Sequence, residues 1–586
     1  MYIIVINTLF ILKISRQSIF FLIKLLCKVD DKMNKKFKVT FRGNEVVEFD
    51  EGTTYKVISD HFKHNYNYDI LVAKVNNNLV DLSDTLNKRC NIDFYDRSTS
   101  VGSNVYMRSA RFILILAVRN ILGPTAEVIT EHSIDRGIFC TIRNAKINKD
   151  TVNKIYKEMK AIVEDDYLFT KLSVSRLDAI KYFKKINHMD KVHVLKYISN
   201  TYINLYRIND MYNYFYGRMA YSTKQINEFK LTYTGDDGFV LSLPDIENPE
   251  CTLDYVHHEK VFNTFLEYTK WGRILVVENA ADLNRVVSQA KIGELINLAE
   301  AHYDGQLAKI ADEIYTSKKN IKLILIAGPS SSGKTTTSKK LDIYLRSKGF
   351  ITHPIALDDY FIDLNKRPLD ENGKPDFESV RALDIELFNK NLLDLLDGKK
   401  VNMPTFNFLL SKREYNGNYL QLGEKDIIIV EGLHALNDEL TMSINKDQKY
   451  KIYIAPLTQM NIDHHNHVHT SDIRKLRRIV RDSKTRGYGA RDTLRMWPEI
   501  KKGERENIFR FQDDVDTVVN SSMIYEVGLL KTYVEPLLFN VSEDDSEYPE
   551  ALRLINFLRN FLPIPSDDVP PDSVLREFIG GSCFKD

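Results

Sequence analysis

Cysteine is scarce in this chain of 586 residues, which carries five in all: Cys27, Cys90, Cys140, Cys251 and Cys583. They are scattered, odd in number and never in a C-x-x-C pair. That excludes a disulfide framework and a zinc ribbon, and favours a reducing cytoplasm. Net charge is lacking too. Against 81 Lys and Arg stand 80 Asp and Glu, so no overall field attracts nucleic acid, and neither DNA nor RNA is an expected partner. Long apolar runs are also missing. Residues 2–12 and 19–27 are apolar, but Lys13, Arg16 and Lys24 interrupt them, and no run reaches the roughly 18–20 residues of a spanning helix. Stable membrane insertion is not expected. A secretory signal carries positive charge ahead of its apolar run, whereas here the charge follows. Residues 1–32 are therefore expected to be an apolar extension without a fold, with Met33 as the working start; a membrane or organelle-targeting role is the competing reading. Tandem repeats and long low-complexity tracts are absent. The length suggests roughly three or four domains.

What is present is concentrated at residues 328–335, Gly-Pro-Ser-Ser-Ser-Gly-Lys-Thr. The run before it (321–327, IKLILIA) has the length and branching of a buried parallel strand, and 335–348 can form a helix. In that setting Gly328, Pro329, Ser330, Ser331, Ser332 and Gly333 make a phosphate-binding loop, whose backbone N–H groups continue through Lys334, Thr335 and Thr336 into a helix N-terminus. Lys334 can reach the β/γ-phosphates of a nucleoside triphosphate, and the Thr335 hydroxyl can ligate Mg²⁺.

Four apolar runs (322–327, 351–357, 426–430 and 450–455) recur at α/β spacing, with helical stretches such as 385–396 between them. The pattern predicts a parallel sheet with helices on both faces and ligands at the strand carboxyl ends. The second run ends in Asp358-Asp359-Tyr360. One of the adjacent carboxylates can accept a proton from an attacking hydroxyl while the other positions metal or water. The third run ends in Glu431, an acid placed to organise Mg²⁺ opposite the loop. Further on, Arg474, Arg478 and Arg481 fall at i, i+4 and i+7. On a helix they share a face, with Ile473, Leu476 and Val480 on the other, and can close over a triphosphate as a lid. A nucleic-acid patch is the competing reading.

Taken in order over about 240 residues, these motifs resemble the uridine kinase branch of the phosphoribulokinase/uridine kinase family. GPSSSGKT stands for the family loop and LDDYF for its D-x-F/Y-Y segment. PDFESVRALDIELF resembles the ribose-holding stretch, MPTFNFLLSKRE the P-x-Y-D-F-x-x-H-x-R motif, VEG the metal acid and DIRKLRRIVRD the lid. The resemblance implies Asp358 as general base, with Lys334 and Arg478 acting on the transferred phosphate. It also implies Arg474 and Arg481 on the triphosphate, Thr335 and Glu431 on Mg²⁺, and Tyr360, Glu378, Phe406 and Arg413 around the acceptor. The chain departs from the family where Glu378 replaces the ribose-binding Asp, Phe406 a base-contacting Tyr and Ser411 a His. Recognition of a sugar diol is expected to survive; preference for uracil or cytosine is left open.

Ahead of this region, residues 36–96 read β-β-α-β-β and resemble the ubiquitin-like TGS domain of threonyl-tRNA synthetases. The next stretch resembles the synthetase's second, editing-type α+β domain. Its H-x-x-x-H and C-x-x-x-H pairs map here to Arg108 and Phe112, and to Phe215 and Met219, so hydrolytic editing is not expected. The implied division is an extension (1–32), a TGS-like domain (33–98), a degenerate synthetase-like domain (99–290), a helical connector (291–320), an α/β P-loop kinase domain (321–560) and a tail (561–586).

The expected activity is ATP- and Mg²⁺-dependent transfer of the γ-phosphate to the 5′-hydroxyl of a ribonucleoside. The alternatives are another small alcohol, of sugar phosphate or pantothenate type, and an RNA- or ribosome-associated NTPase using the TGS-like module. The expected partner is a small-molecule nucleoside; a homo-oligomer is compatible with the sequence. Four histidines in six residues (His464, His465, His467, His469) could bind a transition metal, yet they are expected in a loop facing solvent or nucleotide.

Overall fold

A computed structural model of the chain describes residues 35–235, 238–363, 366–369, 373, 379–407, 410 and 412–584. The expectations for residues 1–32, Glu378 and Ser411 lie outside them. Strands β1 (Lys36–Phe41), β2 (Glu45–Asp50), β3 (Ile70–Val75), β4 (Asn78–Val80) and β5 (Cys90–Asp96) form a five-stranded sheet of order β2-β1-β5-β3-β4, with helix α1 (Tyr55–His61) packed on it. The order brings the first and last strands side by side as a parallel pair, the arrangement of a ubiquitin-like module.

A long helix, α2 (Ser100–Leu122), follows, its first turn capped by the Thr99 hydroxyl. It is buried on nearly every side, between a four-stranded sheet built from β6 (Glu127–Ile134), β7 (Gly137–Arg143), β11 (Lys230–Tyr233) and β12 (Gly238–Ser242) and a three-stranded one from β8 (Thr170–Ser175), β9 (Tyr202–Ile208) and β10 (Met211–Tyr214). Helices α3 (Lys149–Glu164), α4 (Arg176–Lys185) and α5 (Met189–Tyr197) complete this region. Where the editing-type pairs would stand, Phe112 and Phe215 rings lie 5.3 Å apart and Met219 is buried in the same apolar core. Arg108 spends its guanidinium on the Arg218 carbonyl.

Helices α6 (Glu259–Ile274), α7 (Ala280–Ser288) and α8 (Ile292–Thr316) lead into the C-terminal half. There β13 (Leu323–Ala327), helix α9 (Lys334–Ser347), β14 (Ile351–Ala356), helix α10 (Ile385–Leu396), two short hairpins (β15 Val401–Asn402 with β18 Tyr419–Leu420, β16 Thr405–Asn407 with β17 Lys412–Glu414), β19 (Asp426–Glu431) and β20 (Lys449–Ala455) precede helices α11 (Thr470–Thr485) and α12 (Ala490–Asn507) and strand β21 (Thr517–Asn520). The main sheet has the order β14-β19-β13-β20-β21 and is parallel throughout. All five residues of β13 are buried, as a central strand covered by helices on both faces requires. The four strands read from the sequence are present, and β21 adds a fifth whose TVVN run is too short to announce itself. Helices α13 (Glu526–Phe539), α14 (Tyr548–Leu558) and the single turn α15 (Arg576–Ile579) close the chain. Among the described residues no helix is long and apolar enough to cross a membrane.

The halves are not beads on a string. One apolar core runs from Ala179 through α8 and the main sheet to Ile579. The histidine-rich segment, expected to face solvent or nucleotide, is instead wedged between the halves, and this is a correction. A bulge in β6 makes it fit: the β6–β7 register slips between Thr130 and His132, which frees the Thr130 N–H to donate to the His464 carbonyl at 2.8 Å. Asn461 donates to the Glu131 carbonyl at 2.8 Å, His467 Nε2 lies 2.7 Å from the Ser133 hydroxyl, and Asn213 lies 3.0 Å from His465 Nδ1. Lys191 and Asp463 pair across the seam with both side chains at 0% exposure. Buried polar groups are usually satisfied; here the N-terminal half meets Asn461, His464, His465 and His467, while His465 Nε2 and Asn466 Oδ1 have no hydrogen-bond partner among the described residues.

Candidate active site

The loop at 328–335 forms because β13 ends against the first turn of α9 with no room for side chains. A Cβ on Gly328 would come within 2.0 Å of the Ile454 carbonyl oxygen. Gly333 has φ +87° and Ser331 φ +61°, the left-handed turns that aim successive N–H groups inward as an anion nest. Lys334 Nζ donates back to the Gly328 carbonyl at 3.0 Å. The Thr335 hydroxyl donates to Glu431 Oε1 at 3.0 Å, so the first turn of α9 meets the tip of β19. Burial raises the Glu431 pKa, with Lys334 opposing and Asp358 adding to the rise.

Asp358 follows β14 in one tight turn, Leu357–Tyr360. It is open to the cleft but enclosed by surrounding protein, which raises its pKa, while Lys334 and Arg486 draw it down. The neighbouring carboxylate has a different occupation: Asp359 accepts the Phe406 N–H at 3.0 Å and ties β16 to the strand tip. The two acids therefore diverge as their alternating positions suggested, leaving Asp358 beside Lys334 and Glu431. Beyond it stands an aromatic wall. Phe361 and Phe406 meet edge to face at 5.8 Å, and the Arg367 guanidinium lies over both rings at 4.5 and 5.2 Å.

Several expected site residues are placed otherwise. Tyr360, expected at the acceptor, is turned into the core: it is 1% exposed, packs edge to face on Phe388 and accepts a hydrogen bond from Asn391 at 3.1 Å. Arg413 pairs with Asp384 at 2.8 Å and so braces the N-cap of α10, which the same Asp384 provides. Arg474, expected over the triphosphate, is buried against Glu504 and Trp497. The helical stripe gave the right helix but not its burial, because the partner acid sits on α12, thirty positions away. Arg478 does reach the loop, donating to the Ser330 hydroxyl at 2.6 Å. Arg481 rests on Asp482 at 3.1 Å; burial and its arginine neighbours lower its pKa to about 10.

Three residues that sequence reasoning missed complete the surroundings of the loop. Arg477, wholly buried, joins Glu526 at 2.8 Å to the Ser521 carbonyl at 2.7 Å beneath the loop. Glu504 Oε1 accepts the Ser330 N–H at 2.8 Å. Glu577, on the tail, accepts both the Thr336 N–H at 3.2 Å and the Thr336 hydroxyl at 2.9 Å. Two carboxylates thus already lie on N–H groups of the loop and its helix, as an anion-binding surface allows. The tail is held there by Lys340–Asp572 at 3.0 Å, by Ser573 on Glu300 at 2.6 Å, and by Val574 against Gly333. No local pattern could have revealed Glu577, which meets its partner from 241 positions away.

A loop for phosphate, a cation beside it, two acids across the cleft and an acceptor wall can together move a phosphoryl group to a hydroxyl. The family model and the sequence relatives agree. The model of the Phosphoribulokinase / Uridine kinase family matches residues 323–524. A uridine kinase of Staphylococcus haemolyticus (strain JCSC1435) is 30% identical over 183 residues, which cover 31% of this chain and 79% of that protein. A threonine–tRNA ligase of Acetivibrio thermocellus is 26% identical over 196 residues, 33% of this chain, in the N-terminal region; the match spans only 31% of that ligase. Among solved structures, a possible uridine kinase from Bacillus stearothermophilus aligns at 20% identity with a TM-score of 0.22, covering 25% of this chain and 79% of that one. The chain belongs to the phosphoribulokinase/uridine kinase family, as an ATP-dependent phosphotransferase with an alcohol acceptor joined behind a threonine–tRNA ligase-like N-terminal region.

Proposed function

We propose that the protein phosphorylates the 5′-hydroxyl of a ribonucleoside. The observation that carries this reading is the aromatic wall of Phe361 and Phe406, fixed to the strand tip of Asp358 through the Asp359–Phe406 hydrogen bond. A planar base can stack there once Arg367, whose guanidinium covers both rings, swings aside, and a small sugar phosphate or pantothenate has no use for such a wall. Phe406 offers a face but no hydrogen bond, in keeping with loose discrimination among bases.

Lys334 supplies fixed positive charge where the transferred group gains negative charge, and the loop N–H groups hold the remaining phosphates. Asp358 accepts the proton of the attacking hydroxyl; the enclosure that raises its pKa makes it a better base than a free carboxylate. Arg478, anchored on Asp482, steadies the loop at Ser330. Thr335 and Glu431 fit Mg²⁺, being a hydroxyl and a partly buried carboxylate 3.0 Å apart with oxygen donors only. When bound there, Mg²⁺ would neutralise phosphate charge. The cytoplasm is the proposed compartment.

ADP release against a panel of ribonucleosides, 2′-deoxyribonucleosides and small sugar alcohols tests the reading. Turnover on ribonucleosides is expected, with deoxyribonucleosides much poorer. Preference for a sugar alcohol or sugar phosphate would overturn it.

A further inference from the structure

At the seam between the halves, Glu127 at the start of β6, Asp190 in the first turn of α5 and His464 from the histidine-rich segment point at one spot. Their ligand atoms all lie within 4.8 Å of one another. Glu127 Oε1 is 2.8 Å from His464 Nδ1 and 3.8 Å from His188 Nδ1, while Asp190 Oδ2 is 3.8 Å from His464 Nδ1. Asp190 is 1% exposed in its side chain, and its second oxygen, Oδ1, has no hydrogen-bond partner among the described residues. A carboxylate oxygen removed from water and left unsatisfied costs about 1–3 kcal/mol, so something is expected to meet it.

We propose that Glu127, Asp190 and His464 bind one divalent transition-metal ion of the zinc or manganese class, clamping the N-terminal half to the loop that enters α11. Two carboxylate oxygens and one imidazole nitrogen form a borderline donor set suited to such ions, with the fourth position open to water. Two negative charges with a neutral imidazole balance a dication. Donors around an ion at about 2.0–2.1 Å in tetrahedral geometry stand about 3.3 Å apart, so the 2.8 and 3.8 Å separations of His464 from the two carboxylates need shifts of only about half an ångström. Binding displaces the proton now shared between His464 Nδ1 and Glu127, as loading a site requires. Of the nearby cations, Arg143 pairs with Glu278 at 2.5 Å and also lies 3.5 Å from His464 Nε2, on the side of the ring away from the site, and Lys191 pairs with Asp463. The site uses none of the groups assigned to phosphoryl transfer.

The experiment uses the full-length protein, stripped with chelator and titrated with Zn²⁺ or Mn²⁺ in a large excess of Mg²⁺, which keeps the Thr335–Glu431 oxygens occupied. Wild type is expected to take up one equivalent with a rise in Tm, and Co²⁺ substitution to give visible d–d bands. Asp190→Asn and Glu127→Gln preserve shape and should each weaken uptake at least tenfold and abolish the bands. His193→Gln, at an exposed imidazole, should change nothing. Circular dichroism checks that each variant is folded, and if one is not, the other decides. No saturable uptake by folded wild type, or uptake unchanged in a folded Asp190→Asn or Glu127→Gln protein, overturns the proposal.

Discussion

Replacing Glu577 by alanine separates two properties that usually move together. In the structure its carboxylate holds the Thr336 N–H and hydroxyl, donors in the first turn of α9 where a nucleotide phosphate is expected to lie. ATP must displace it. Two hydrogen bonds to a charged group are worth about 1.5–3 kcal/mol each in place, but the released carboxylate recovers water. The net barrier to nucleotide binding is then about 1–2 kcal/mol, a factor of about 5–30 in affinity. The same substitution removes a negative charge from a helix N-terminus, which costs about 0.5–2 kcal/mol of stability. Glu577→Ala should therefore bind ATP more tightly by calorimetry, with a lower KM, while its nucleotide-free Tm falls. ATP affinity that is unchanged or weaker in the variant would refute the reasoning and leave Glu577 as a plain helix cap.

Three further outcomes follow from the same geometry. Asp358→Asn should keep ATP affinity and lose about 10²–10⁴-fold in kcat, since an amide cannot take the acceptor's proton, whereas Asp359→Asn should chiefly raise acceptor KM by loosening β16; steady-state kinetics of both variants checks this. Lys191→Met leaves Asp463 charged and buried without its partner, and should destabilise the fold by about 3–5 kcal/mol in urea unfolding. Stability should also fall in mild acid. Burial pushes His132 down to about 3 and His467 well below the usual imidazole value, so both are neutral when folded and protonate on unfolding. Their contribution is present above an unfolded pKa near 6.5 and is lost below it, by about 2 kcal/mol for the two together between pH 6.5 and 5.5. Thermal melts across that window that show no loss would contradict this.

The local parts of the site were legible in the sequence because their chemistry is local. The phosphate loop is eight consecutive residues, and the acids at Asp358 and Glu431 stand at the ends of apolar runs of strand length. What sequence could not disclose depends on distant partners. Arg474 looks like a lid residue until Glu504 is seen beside it, and Tyr360 looks like an acceptor contact until α10 supplies Phe388 and Asn391. The histidine-rich segment reads as a polar loop because the β6 bulge that receives it lies more than three hundred positions upstream.

The shared core also sets a timetable for synthesis. Helices α4, α5, α7 and α8 contribute apolar faces that are covered only when β20, α11, α13 and the tail have been made. At about 5–20 residues per second, the roughly 260 residues separating the end of α8 from α15 take about 13–50 seconds to emerge. During that interval a nascent chain carries a half-built core, whereas the ubiquitin-like module, with its own closed cluster, can already be complete. Whatever shields that surface on the ribosome acts before the phosphate loop can hold a nucleotide.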